Sequence, residues 1–229
     1  MGQHITGGDN DDAPFQGGMN DHGLFIDGNA IPPTGWKAEK AKPEWRENSL
    51  RKLIGMKTTE KDAEYFMKSV LQKCSTVKEV KDFVSKYNLP GLAQSKFPVA
   101  DRTGASMVVE FTKGRVQCSE RAGWYQISTN IITSNITAEN YLCWRYKTAD
   151  KLLSEAKELT MPLIRDILKA THQEQAKHSV TTVYSNIYDL KSGTIKLYRS
   201  GNFDKVITLD LNDELIKGSR MIKLSSLFD

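Results

Sequence analysis

The sequence predicts an α+β fold made of two antiparallel sheets with helix pairs on their outer faces, a four-layer αββα sandwich. Three observations carry this expectation. The elements run strand, helix pair, strands, helix pair, strands. The strands are short and joined by Gly-bearing turns, as antiparallel ladders require. The helices place apolar residues at helical spacing, so each has one face to bury. The same order also permits a two-layer α+β arrangement. No internal repeat is present.

Residues 1–16 are rich in Gly and Asp and read as a loop or damaged strand. Gly17-Gly18 gives a turn, and Leu24, Phe25 and Ile26 form a short buried strand that ends before Pro32-Pro33. Residues 33–46, rich in Pro and Lys, read as a surface loop. A helix over 59–73 is capped by Thr58 or Thr59, and Ala63, Phe66, Met67, Val70 and Leu71 repeat along it. A second, over 76–87, is capped by Ser75 or Thr76, with Glu79 placed for a capping box; Asn88 and Pro90 end it. A meander follows: Phe97–Ala100, Ser106–Phe111, Val116–Cys118 and Trp124–Asn130, with turns at Asp101–Gly104 and Lys113-Gly114. Two more helices are expected at 138–158 and 161–175, with Thr160 and Pro162 marking the start of the second. Strands Val180–Asp189, Thr194–Arg199 and Lys205–Leu211 close the chain.

A chain of 229 residues with 39% hydrophobic and 26% charged content suits a globular protein, and we read residues 1–229 as one domain. The net charge of +4 is small, and Lys73, Lys78, Lys81 and Lys86 alternate with acids. That is a solvated helix face and not a nucleic-acid footprint. Lys217, Arg220 and Lys223 lack aromatic interleaving, so no nucleic-acid partner is expected. Cys74, Cys118 and Cys143 form neither a disulfide framework nor a zinc pattern. His4, His22, His172 and His178 have no ligand spacing, and no metal or cofactor is expected. No apolar run reaches the roughly 20 residues of a membrane helix. No signal peptide is visible, and no compartment is assigned.

Three segments occur in a telling order: FQGGMNDHGLFIDGNAIP over Phe15–Pro32, VADRTGASMVVEF over Val99–Phe111, and YQISTN over Tyr125–Asn130. Together they resemble the choloylglycine hydrolase and penicillin V acylase-like family of N-terminal-nucleophile (Ntn) cysteine hydrolases, which cleave linear amide C–N bonds. TTVYSNIYDLKSGTIKLY over Thr181–Tyr198 resembles the family's closing hairpin. The likeness spans roughly residues 14–229 and implies the αββα sandwich and a small-molecule amide substrate.

Asn130 ends a predicted strand and reads from pattern alone as a turn residue. The resemblance gives it another role, because the family's Thr-Asn strand end supplies an amide to the oxyanion of the tetrahedral intermediate. A fixed donor of that kind is worth about 3–4 kcal/mol. Ser128-Thr129-Asn130 matches the segment, with Ser128 in place of a usual apolar residue. Arg145 shares a helix face with Tyr141, Leu142, Ala149, Leu152 and Leu153. An Arg there either snorkels to the rim or has a partner inside. The family carries a catalytic-site Arg shortly after the Asn strand, and Arg145-Tyr146-Lys147-Thr148-Ala149 partly matches that pattern. Bile-salt hydrolases have Asn where this chain has Ala30. The neighbouring Asn29 is expected on the opposite face, so the resemblance favours another branch of linear-amide hydrolases.

The family's nucleophile is a chain-terminal Cys whose own α-amine, with an unperturbed pKa of about 7.7–8.0, acts as base. An Arg and an Asp follow it. None of the three lies in residues 1–16, and Cys74, Cys118 and Cys143 are not chain termini. The resemblance therefore implies a family scaffold without its first strands and its nucleophile. Such a scaffold would be inactive as it stands and would pair through an open sheet edge near residues 5–9 or 23–29. The alternative is a non-catalytic relative that binds an acyl-amide-like ligand or a partner protein.

Overall fold

The computed structural model describes residues 15–32, 34, 59–87, 92–112, 115–136, 143–174 and 181–229. The expectations for residues 1–14, the 33–46 loop apart from Thr34, the cap by Thr58 or the Thr59 side chain, Asn88 and Pro90, the Lys113-Gly114 turn, Tyr141, Leu142 and His178 lie outside them.

The first sheet has six strands: β1 (Gly17–Met19), β2 (Leu24–Asp27), β3 (Asn29–Ala30), β4 (Ser95–Asp101), β5 (Ser106–Thr112) and β6 (Arg115–Glu120). Its order is β1-β2-β4-β5-β6, with β3 also paired to β4. Every ladder is antiparallel. Helices α1 (Thr59–Lys73) and α2 (Val77–Val84) lie between β3 and β4 in sequence. After β6 come α3 (Trp144–Ser154) and α4 (Met161–Thr171), then an antiparallel three-stranded meander of β7 (Tyr184–Asp189), β8 (Thr194–Arg199) and β9 (Asn202–Asp210). A short α5 (Leu211–Ile216) follows.

Alternation along the strands sets the layers. In β2, Leu24 and Ile26 are buried with Phe66, Met67 and Val70 of α1, in a core that also takes Val77, Val80 and Val84 of α2. Each such fully buried side chain contributes about 1.5–3 kcal/mol. Phe25, on the opposite face of β2, meets Tyr188 of β7 with ring centroids 5.0 Å apart. Met19 packs with Ile195 and Leu197 of β8. On the far face of the second sheet, Ile187, Tyr198 and Phe203 pack against Met161, Ile164 and Leu168 of α4. The order of layers is thus α1 and α2, first sheet, second sheet, then α4 with α3 packed beside it.

The signature segments hold this arrangement together. Asn20 is buried, and its Nδ2 donates to Leu71 O at 2.9 Å and Cys74 O at 2.8 Å, capping carbonyls at the end of α1. Its Oδ1 accepts from His22 N at 3.1 Å and Leu24 N at 2.9 Å, which shapes the β1–β2 turn. Gly23 completes that turn at φ 75°, where a Cβ would lie 2.6 Å from Leu190 O. Asp101 accepts from Val77 N at 2.8 Å, at the start of α2, and from Thr103 N at 2.9 Å. The Thr76 side chain caps α2 at Glu79 N, and Glu79 reaches back to Ser75 N at 2.6 Å.

The structure departs from expectation in four places. Gly17-Gly18, expected as a turn, lies in β1 opposite Asp27 and Ile26. Trp124–Asn130 is not a strand. It spans the first sheet from β6 to β3, so side chains anchor it where no ladder can: Gln126 Nε2 donates to Ser119 O at 2.8 Å and Ser128 Oγ to Asn29 Oδ1 at 2.6 Å. The later helices are shorter than predicted; His172 turns to extended backbone and its ring bonds Lys169 O, closing α4. Residues 24–27 are no open edge, because β2 lies between β1 and β4, whereas Asn29 is in β3, which pairs with β4 alone. Residues 5–9, the other expected edge, lie outside the described residues.

Candidate functional site

A cavity of about 860 Å³ opens between the layers. Its wall from the first sheet carries Phe25, Asp27, Asn29, Pro98, Ala100 and Val108, all from one side of the pleat. Residues Trp124–Asn130 cross over it, α3 contributes Arg145, Ala149 and Leu153, and β7 contributes Tyr184 and Asn186.

Asn130 and Arg145 meet in this wall. Arg145 Nη2 donates to Asn130 Oδ1 at 2.5 Å, and Asn130 Nδ2 donates to Ala30 O at 2.7 Å. A guanidinium only donates, so the carboxamide oxygen must face Arg145 and its NH2 must face Ala30. That NH2 has two hydrogens, and Ala30 takes one. Asn29, expected to point away from the pocket, lines it and accepts the Ser128 hydroxyl. Phe25, Asp27 and Asn29 lie two residues apart and so share one facing by plain strand alternation.

A buried ion pair fixes the stretch that follows Asn130. Lys96 and Glu110 are both 0% exposed, directly opposite each other in the β4–β5 register and 3.9 Å apart. Lys96 Nζ donates to Ile131 O and Thr133 Oγ1, each at 2.7 Å. Glu110 accepts from the backbone amides of Thr133 and Ser134, the latter at 3.0 Å. Burial pulls the Lys96 ammonium down to about 8, opposed by the Glu110 charge, so it remains a cation at neutral pH. From the other side, Tyr125 Oη donates to Asp150 Oδ1 of α3 at 2.7 Å and ties the crossing segment to the helix that carries Arg145.

Asp27 has the most perturbed carboxyl in the wall. Burial pushes it up to about 7, with the Gly28 N–H opposing at 2.7 Å. Burial and the Asp27 charge push the Tyr184 hydroxyl up to about 12 and that of Tyr188 further in the same direction. The folded protein therefore holds the Asp27 proton to near pH 7, whereas the unfolded chain releases it near the ordinary carboxyl value of 3.8. Stability from this group is full below that lower value and is lost as pH rises toward 7. Asp27→Asn, neutral throughout, should leave stability unchanged near pH 4 and raise it by up to about 4 kcal/mol at pH 8. Urea unfolding across that range checks this; a pH-independent difference would contradict it.

Cys143 occupies the N-cap of α3, next to the pair but off the cavity wall. Burial raises its thiol, yet the Thr129 hydroxyl, the Tyr146 and Arg145 amides and the Arg145 charge bring it below the ordinary thiol value. The Thr129 Oγ1 is buried without a well-formed hydrogen bond and no amide caps the Cys143 side chain, so the Arg145 charge is the firmer cause. Burial raises Cys74 to about 11 and raises Cys118 as well. Iodoacetamide near neutral pH should therefore modify Cys143 before the other two, as peptide mass mapping will show; faster loss of Cys74 would contradict the assignment.

All three cysteines are described, and none lines the cavity. His172 does, but Lys169 O and Glu174 engage its ring, and no hydrogen bond joins a histidine to a cysteine among the described residues. No group of three His, Cys, Asp or Glu side chains suited to a metal gathers among the described residues. None of their helices is long and apolar enough to cross a membrane. Pattern reading missed Asp27, Lys96 and Glu110. Their signal was a charged residue inside an otherwise apolar strand, in LFID, KFPV and VVEF.

The layers and cleft define an Ntn-hydrolase-like scaffold, and comparison with known proteins identifies the family. The profile of the acyl-coenzyme A:6-aminopenicillanic acid acyl-transferase family matches residues 62–204, and the chain belongs to that family. No curated protein matches the sequence. Among solved structures, a variant of the conjugated bile acid hydrolase from Clostridium perfringens is similar in fold. It has a TM-score of 0.63 at 18% identity, over 93% of this chain and 78% of that one. A penicillin V acylase from Agrobacterium tumefaciens gives a TM-score of 0.58 at 16% identity, over 87% of this chain and 67% of that one. At these identities the structural likeness speaks to the fold. With the family match it supports the resemblance to choloylglycine hydrolases and penicillin V acylases.

Proposed function

We propose that the cleft binds small linear amides and is the substrate half of an amide C–N hydrolase or acyltransferase site. The observation that carries this reading is the Arg145–Asn130 hydrogen bond in the wall of a cavity with a mostly apolar first-sheet face. The apolar wall suits an acyl chain, and the second Asn130 N–H suits an oxygen that gains charge as the carbonyl becomes tetrahedral. Arg145 holds the carboxamide in the orientation that aims this donor. In such chemistry a thiolate attacks the carbonyl carbon, the C–N bond breaks, and the amine leaves with a proton. Neither Cys74, Cys118 nor Cys143 is placed on the wall to do this. Residues 1–229 on their own should thus bind acyl amides without cleaving them.

The test is to purify residues 1–229 and offer penicillin V, glycine-conjugated bile acids and N-acyl amino acids, following binding and amine release separately. Binding without release is the expected result, and Asn130→Ala should change this ground-state binding little, because an oxyanion donor acts on the tetrahedral centre. Release that survives alkylation of all three cysteines, or that one Cys substitution abolishes, would contradict it.

A further inference from the structure

We infer that the Asp27 end of the cavity is an ammonium site, where a carboxylate beside two tyrosines receives a cationic group carried by the amide ligand. The inference rests on the amide-binding reading for the rest of the ligand but stands on different residues.

Asp27 follows Leu24, Phe25 and Ile26, and alternation turns its side chain away from the α1 core and into the space between the sheets. The Gly28 N–H is its hydrogen-bond donor, and no cationic side chain pairs with it among the described residues. The cations that line other parts of the cavity are engaged elsewhere. Arg145 is on Asn130, Arg121 on Gly104 O, and His172 on Lys169 O and Glu174. A carboxylate shielded from water with no counter-charge is costly, and a ligand cation removes that cost.

The surroundings suit a cation and no anion. Tyr184 of β7 lines the cavity with Asp27, and Tyr188 packs on Phe25 beside it; the Asp27 charge opposes the ionisation of both. Phe25 extends the aromatic wall, 5.0 Å from the Tyr188 ring. Aromatic faces beside a carboxylate form the usual setting for ammonium recognition. Gly17 on β1 leaves the floor open, because a Cβ there would meet Asp27 Oδ1 at 2.9 Å. The polar groups about Asp27 are neutral: the phenols of Tyr184 and Tyr188, the latter accepting from the Asn186 amide, and the Gly28 N–H. Ligand binding should tighten as pH rises through the range in which Asp27 ionises. The structure thus favours amides whose acyl or amine part ends in a primary ammonium or guanidinium over neutral homologues.

The experiment uses calorimetric titration of residues 1–229 and of Asp27→Asn with three probes: N-decanoyl-diaminobutane, its neutral homologue N-decanoyl-pentylamine, and butylammonium alone. At about pH 8 the cationic amide should bind about tenfold or more tightly than the neutral one, in line with one charge-assisted contact. That preference should shrink near pH 5.5 and vanish in Asp27→Asn, while the neutral amide binds both proteins equally. Equal binding of the neutral amide also reports that the variant is folded. If neither amide binds but butylammonium binds in an Asp27-dependent way, the amide reading fails and the ammonium site stands. Equal affinity for both amides, or a preference that Asp27→Asn leaves intact, would overturn the inference. So would the absence of Asp27-dependent binding by all three probes.

Discussion

Glu110→Ala will destabilise the protein by about 3–5 kcal/mol, the loss typical when one member of a buried ion pair is removed. The substitution leaves Lys96 charged at a position that is 0% exposed and takes the acceptor from the Thr133 and Ser134 amides. Lys96 keeps Ile131 O and Thr133 Oγ1, which satisfy its hydrogen bonds but do not balance its charge. Without Glu110 its ammonium falls further below the value of about 8 it has in the intact pair, because the Glu110 charge is what raises it. The deficit should therefore narrow as pH rises from about 6 to about 8, because Lys96 of the variant sheds its proton before Lys96 of the intact pair does, and should stay level above that. Replacing both residues with methionine should recover much of the loss. Urea midpoints at the two pH values measure this, and a loss below about 1 kcal/mol would show that the pair is not buried as described. The turn at Thr133–Asn135 hangs on this pair, so Glu110→Ala should also disorder the stretch that places Asn130.

In any form of the protein that turns over an amide, Asn130→Ala should lower kcat by about a hundredfold or more, with KM little changed. An oxyanion donor acts in the transition state and not in the ground state, which separates it from a residue that only shapes the cleft. Arg145→Lys is a sharper probe of the orienting role. A lysine is a flexible point charge without the planar fork of the guanidinium, so it should hold the carboxamide less firmly and lose part of the same kcat. An Arg145→Lys variant with full kcat would confine Arg145 to the rim.

The sequence reveals what depends on local spacing. Helix α1 was legible because Phe66, Met67, Val70 and Leu71 repeat on one face and reach the core. The start of α2 was legible because Thr76 and Glu79 cap it within a few residues of chain. The path of Trp124–Asn130 was not, since an alternating segment that crosses a sheet looks like one that joins it; only its partners, Ser119, Asn29 and Ala30, tell them apart. The Lys96–Glu110 pair was hidden for the same reason, because register and not sequence brings them opposite each other. Pattern alone left Asn130 as a turn residue and Arg145 as a rim residue or a buried partner. Resemblance singled them out, and the geometry adds that they share one hydrogen bond.

The most direct test of the cleft reading needs no nucleophile. A phosphonamidate carries the tetrahedral, anionic centre of an amide under attack, and residues 1–229 can be titrated with one alongside its parent amide. The account predicts that the phosphonamidate binds more tightly than the amide, and that Asn130→Ala weakens the phosphonamidate by about a hundredfold while changing the amide far less. Equal loss for both ligands, or no loss for either, would contradict the assignment of Asn130 to the oxyanion.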